Sequence, residues 1–242
     1  MEWICSCKTS NEDALSKCSN CGRKKPKYFG IKVDFKSNAN LDDKKLSLWY
    51  LKVAIKYLDD ALERLKKLES SKAEMKPNEK VPEHIIQYWE RLKTAISLDC
   101  NNCFAMLDEA EKLDQNPGFE DEEDISINAI TVRSKCLYAL ASLFYAVNNF
   151  EEAVNNFQKS FDLDPNQFTI FQLALSTINL PVEGTSMFSS KKTSQAIENK
   201  RQQEIDLMIK TIKFSPFSEL GLSAAQILNN KYNFRVSLKD IM

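Results

Sequence analysis

The sequence predicts a mainly α protein, an irregular succession of helix pairs with a small four-cysteine unit at its N-terminus. Three observations point there. Five glycines in 242 residues are too few for dinucleotide-binding turns, phosphate loops or sheet-rich folds, all of which need many tight turns. Leu48, Leu51, Ile55, Leu58, Leu62 and Leu65 recur at spacings of 3, 4, 3, 4 and 3 with no Gly or Pro among them, the period of one helix face. Residues 134–167 read as two short helices back to back, joined at Asn148-Asn149 and stopped by Pro165.

The apolar share of 43% and charged share of 28% are those of a folded globular chain. No window holds 18 apolar residues in a row, and the N-terminus lacks the charged-then-apolar layout of a signal peptide. The expectation is an intracellular protein, cytoplasmic or nuclear, that does not engage a membrane. In such a compartment seven cysteines, an odd number, point to metal ligands and buried thiols rather than disulfides.

The four-cysteine unit comes first in the chain. Cys5-x-Cys7 and Cys18-x2-Cys21 are two close pairs that can close one tetrahedral all-thiolate Zn2+ site. So short a segment has almost no core, and its folding has to come from the metal, which contributes roughly 10 kcal/mol or more in zinc-finger peptides. The pattern W-x-C-x-C-x3-N-x6-C-x2-C-G, with Trp3, Asn11 and all four cysteines in place, resembles the Ran-binding-protein zinc finger family over about 20 residues. The first knuckle has one residue between its cysteines where that family usually has more. One branch of the family binds single-stranded RNA through the Trp, the Asn and an Arg pair, and that pair falls here on Ala14 and Leu15. Another branch binds ubiquitin through a Thr-Phe dipeptide, whose positions here hold Lys8 and Thr9. The finger, residues 1–27, is therefore read as a metal-stapled docking element. Trp3, Asn11, Arg23, Lys24 and Lys25 are its candidate partner-binding residues.

Arg23-Lys24-Lys25-Pro26-Lys27 gives this end its charge. Residues 1–36 carry eight Lys/Arg against four Asp/Glu, so they are +4 and the remainder is −5, which together make the −1 of the chain. A basic run beside a finger can hold phosphates, and RNA binding through the finger is the alternative reading. Residues 28–40 read as a linker, with Ile31, Val33 and Phe35 alternating as in one extended docking strand.

Residues 41–242 are predicted to form a single helical domain. The first helix spans Leu41 to about Ser70, with Tyr50, Ala54, Tyr57 and Ala61 widening its stripe, and residues 70–82 form a polar loop. The next helix runs from Glu83 to about Leu98 with Trp89, Leu92 and Ile96 on one face. Cys100-Asn101-Asn102-Cys103 is placed at a turn, its thiols packing residues, and Ala105 is aligned with Ala153 of the clearer pair. His84, the only histidine, has no nucleophile constellation around it. The acidic stretch 119–124 leads into a helix beginning near Ile125.

In residues 134–167 the spacing L-x2-L-A-x2-F (Leu137 to Phe144), then A-x3-F-x2-S (Ala153 to Ser160), then Pro165, resembles the tetratricopeptide repeat, a helix-turn-helix unit of about 34 residues. Ala141, Ala153 and Ser160 are the small residues where two helices approach, and Ala139 is placed on a less crowded face. Further helices are expected over 168–180, 194–216 (with Ile205, Met208, Ile209 and Ile212 buried) and 218–230. A polar insertion at 181–193 and a tail from Tyr232 complete the chain.

The resemblance implies a tetratricopeptide-like helical-pair solenoid of about three pairs, whose groove is lined by the first helix of each pair. Lys135, Tyr138, Ser142 and Tyr145 are its expected groove residues. Relatives that grip a partner's C-terminal carboxylates have Lys and Asn where Tyr138 and Ser142 stand, so that ligand is not implied. With no nucleophile-base pair, carboxylate dyad or phosphate loop, the chain reads as a non-enzymatic zinc-binding scaffold or adaptor for a protein or peptide partner.

Overall fold

The computed structural model of the chain describes residues 2–4, 10–12, 19, 42–75, 80–115, 117–120, 126–181 and 190–236. In chain order the elements are β1 (Glu2–Ile4), β2 (Ser10–Glu12), α1 (Asp43–Ala73), α2 (Glu83–Leu113), β3 (Gly118–Glu120), β4 (Ser126–Asn128), α3 (Ala129–Ala146), α4 (Phe150–Leu163), α5 (Gln167–Asn179), α6 (Ser190–Phe214) and α7 (Glu219–Tyr232). The protein is mainly helical, and each helix packs chiefly against its neighbours in the chain. Two antiparallel pairs, β1 with β2 and β3 with β4, are the sheets among the described residues.

α1 and α2 form an antiparallel hairpin of two 31-residue helices. Three bonds mark its length: Ser47 Oγ donates to the Ala110 carbonyl at 2.8 Å, Arg64 pairs with the buried Asp99, and Trp89 Nε1 donates to Ser71 Oγ at 2.9 Å. The buried stripe of α1 is Leu51, Ala54, Leu58, Ala61, Leu65 and Leu68. It is rotated from the expected leucine seam toward the alanines, which leaves Leu62 36% exposed. The small Ala54 and Ala61 let the helices approach closely, which is why they and not the larger residues hold the centre.

The turn expected at Cys100–Cys103 is absent: α2 runs unbroken from Glu83 to Leu113. Cys100 and Cys103 continue the stripe of Leu92, Ile96 and Leu107, so burial carries the helix through a dipeptide that favours turns. The Asn102 Nδ2 atom is buried without a hydrogen-bond partner, a cost of keeping the helix there. Ala105 is exposed and is not the counterpart of Ala153.

α3 and α4 match the predicted helix-turn-helix. Asn148 closes the turn with φ 60°, and Asn149 caps α4 by accepting from Glu152 N at 3.4 Å. α3 begins at Ala129 rather than near Ile125, because Asn128 is its cap and accepts from Thr131 N at 2.9 Å. Asn166 caps α5 in the same way, accepting from Thr169 N at 2.9 Å. Between α3 and α4 the Ser134 hydroxyl donates to the Ser160 carbonyl and the Ser160 hydroxyl to the Ser134 carbonyl, both at 2.9 Å. Ala141, Ala153 and Phe157 are fully buried beside this contact. Ala139 is also fully buried, on the opposite face of α3 against α1 and α2, and so the less crowded face assigned to it does not exist.

α5, α6 and α7 enclose Phe171, Ala174, Ile205, Met208, Ile212, Ala224 and Leu228, so the expected buried face of α6 is present, with Ile209 at its margin. Gly221 is required in α7, since a Cβ there would lie 2.4 Å from the Ser215 carbonyl oxygen. The C-terminal stretch is not a free tail. Tyr232 donates to the buried Glu204, which also pairs with Lys200 and Lys231 at 3.2 Å each. Asn233, with φ 54°, then turns Phe234 and Val236 back onto the core. A middle cluster of Ala141, Ala153, Phe157 and Leu173 joins this core to the α1–α2–α3 core, so α3 and α5 are packed on two sides.

Candidate functional site

The N-terminal strands bring together two of the predicted finger residues. β1 and β2 pair antiparallel with Trp3 opposite Asn11, flanked by Glu2 opposite Glu12 and Ile4 opposite Ser10. Cys5, Cys7, Cys18 and Cys21, with Arg23, Lys24 and Lys25, lie outside the described residues, as does the linker over 28–40. Among the described residues no group of three His, Cys, Asp or Glu side chains is arranged to hold a metal ion.

On α3 the four groove candidates occupy successive turns of one face but differ in access. Lys135 is exposed, Tyr138 and Tyr145 are half-buried, and Ser142 is 8% exposed. The Tyr138 ring packs edge-on against Phe157 of α4, centroids 5.3 Å apart, and Tyr145 does the same with Phe150 at 5.5 Å. Burial pushes the Tyr138 phenol above its ordinary range, against the lowering effect of the adjacent Ser142 hydroxyl. Tyr145 is tied to the next pair, its hydroxyl accepting from Asn179 Nδ2 of α5 at 3.3 Å.

α1 contributes to the same surface, which the sequence pattern did not reveal because α1 and α3 are far apart in the chain. Lys72 near the end of α1 donates to the Ala146 carbonyl at the end of α3. Glu69 stands close enough to Tyr138 to raise its pKa, and Lys135 close enough to Asp59 to lower that residue's. Desolvation is nonetheless the larger influence on both carboxyls and raises each of them. The surface is thus an aromatic strip on α3 with carboxylates on its α1 side, Lys135 at one end and an amide on its α5 side.

The thiols of α2 and α3 form a separate cluster. Cys100, Cys103 and Cys136 are all 0% exposed, and Cys136 Sγ donates to the Cys100 carbonyl at 3.5 Å. Hydrogen bonding from Cys100 and Cys103, together with burial, pushes the Cys136 thiol far up, so Cys136 is a packing thiol and not a nucleophile. His84 stands in the first turn of α2, two residues after Pro82 at the N-cap.

No family model, no curated protein and no solved structure matches the chain. Among the described residues no helix is long and apolar enough to cross a membrane.

Proposed function

We propose that the chain is a non-enzymatic zinc-binding scaffold or adaptor. A finger on Cys5, Cys7, Cys18 and Cys21 holds one partner, and a tetratricopeptide-like groove on the first helices of the helix pairs holds a second, a protein or peptide segment. The observation that carries this reading is the strip of Tyr138 and Tyr145, half-buried and anchored from behind by Phe157 and Phe150, and bordered by α1 and α5. Aromatic rings fixed in place bind with little loss of side-chain freedom, which suits them to recognition. The test is affinity capture with three versions of the full chain: unaltered, C18S/C21S and Y145E. Each variant is expected to lose a different partner while retaining the other. Loss of the same partners by both, or none by Y145E, rejects the adaptor reading.

The basic run Arg23–Lys27 favours one alternative, binding of single-stranded RNA, with Trp3 stacking on a base and the lysines holding phosphates. Salt distinguishes the two. Phosphate-led binding weakens by orders of magnitude between about 50 and 200 mM salt, and groove binding far less.

A further inference from the structure

Exposed apolar side chains are unevenly spread over the molecule. Of the ten large ones found among the described residues, five come from the end of α4, the start of α5 and the α6–α7 junction: Leu163 (38% exposed), Phe168 (65%), Phe214 (43%), Phe217 (92%) and Leu222 (59%). Hydrogen bonds tie these segments into one corner. Gln167 Nε2 donates to the Thr211 and Ser215 carbonyls at 3.0 and 3.1 Å, and Ser218 Oγ donates to Gln167 Oε1 at 2.9 Å. Phe214 packs edge-on against Phe161, centroids 5.9 Å apart. Phe217, the most exposed of them, sits on a turn fixed by the Ser218 cap and the close approach of Gly221 to Ser215. Its position is set before any partner arrives.

We propose that this corner is a two-fold interface between two copies of the chain, independent of the groove and the finger. Size supports it first. With ~200 Å² for a Phe and somewhat less for a Leu, the exposed fractions amount to roughly 550 Å² of apolar surface, the upper end of what a monomer shows. A stable interface takes ~800 Å² from each partner, about 65% of it apolar in homodimers, so the corner supplies the apolar share of one half-interface. Charge supports it second. The charged residues within four positions of these side chains along the chain are Lys159, Lys210 and Lys213 against Asp162, Asp164 and Glu219, three of each sign, which selects neither a basic nor an acidic partner. A surface with both signs around an apolar centre is self-complementary under a two-fold axis, where each copy's lysines can meet the other's carboxylates. Phe217 of one protomer then packs against Phe168 and Leu222 of its partner.

Sedimentation velocity on the full chain over about 1 to 100 μM tests the proposal. The expected mass at the upper end is twice the 27.8 kDa of one chain. Phe217→Asp and, separately, Phe168→Ser are each expected to raise the dissociation constant at least ~tenfold, whereas Tyr88→Asp, at a residue 41% exposed on α2, leaves it unchanged. Circular dichroism identifies any variant that has lost its fold, and the other then decides. A single-chain mass at every concentration overturns the proposal. So does a dimer that Phe217→Asp and Phe168→Ser weaken no more than Tyr88→Asp does.

Discussion

At Ser134 and Ser160 two hydroxyls replace what would otherwise be apolar packing, and each satisfies a carbonyl of the opposite helix. Removing one leaves its partner carbonyl short of a donor in a dry contact, so Ser160→Ala is expected to cost about 1 kcal/mol in denaturant unfolding. Ser134→Ala/Ser160→Ala should cost less than the sum of the single changes, because the two bonds share one contact. Additive costs would show that the hydroxyls do not act together. Ala153 is the second residue on which the pair depends. Its side chain is fully buried where α4 meets α3, so Ala153→Leu is expected to cost on the order of 1 to 3 kcal/mol. Ala105→Leu, at an exposed position of α2, should leave the melting temperature nearly unchanged. Equal melts for the two would mean that the α3–α4 contact is looser than its burial implies. Ala153 and Ser160 were legible in the sequence because small residues at helical spacing between large ones have one main use. Ala139 was not, because α3 is packed on two sides and a single-face pattern cannot show the second.

The elements were legible where apolar period and capping agreed. α1, α4 and α7 have one buried stripe and clear ends, and they and the capped α5 fall within a few residues of expectation. α2 did not, since Cys-Asn-Asn-Cys is turn-like by composition while the stripe from Leu92 to Leu107 runs through it. Over this length the burial term outweighed the local one. Asn101→Pro distinguishes the two: in a continuous helix it removes a backbone hydrogen bond and clashes one turn back, costing ~3 kcal/mol or more, whereas a turn would tolerate it. A melt within a degree or two of the unaltered protein would restore the turn. The three-residue strands β3 and β4 carried too few residues for any period to register. The caps Asn128 with Thr131 and Asn166 with Thr169 were a readable signal that the acidic stretch before α3 obscured.

For the whole molecule, the metal's place follows from where the cores lie. Among the described residues, the three apolar clusters span residues 51–236 and are closed by helices α1 to α7 and the β3–β4 hairpin. The proposed zinc ligands all precede residue 22, in a segment too short to bury a core of its own. Two consequences follow from the zinc reading. Protein purified without chelator should carry one zinc per chain, and less than about half an equivalent would reject the site. Chelation should unfold the finger yet barely alter the far-ultraviolet circular dichroism, because the helices that dominate that signal hold together without it. The thermal melt of the helical part should likewise stay in place, since an effect at the finger reaches those cores only if the two are packed together. A large loss of helix on chelation, or a melting temperature that falls with the metal, would show that the N-terminal residues complete one of the three cores.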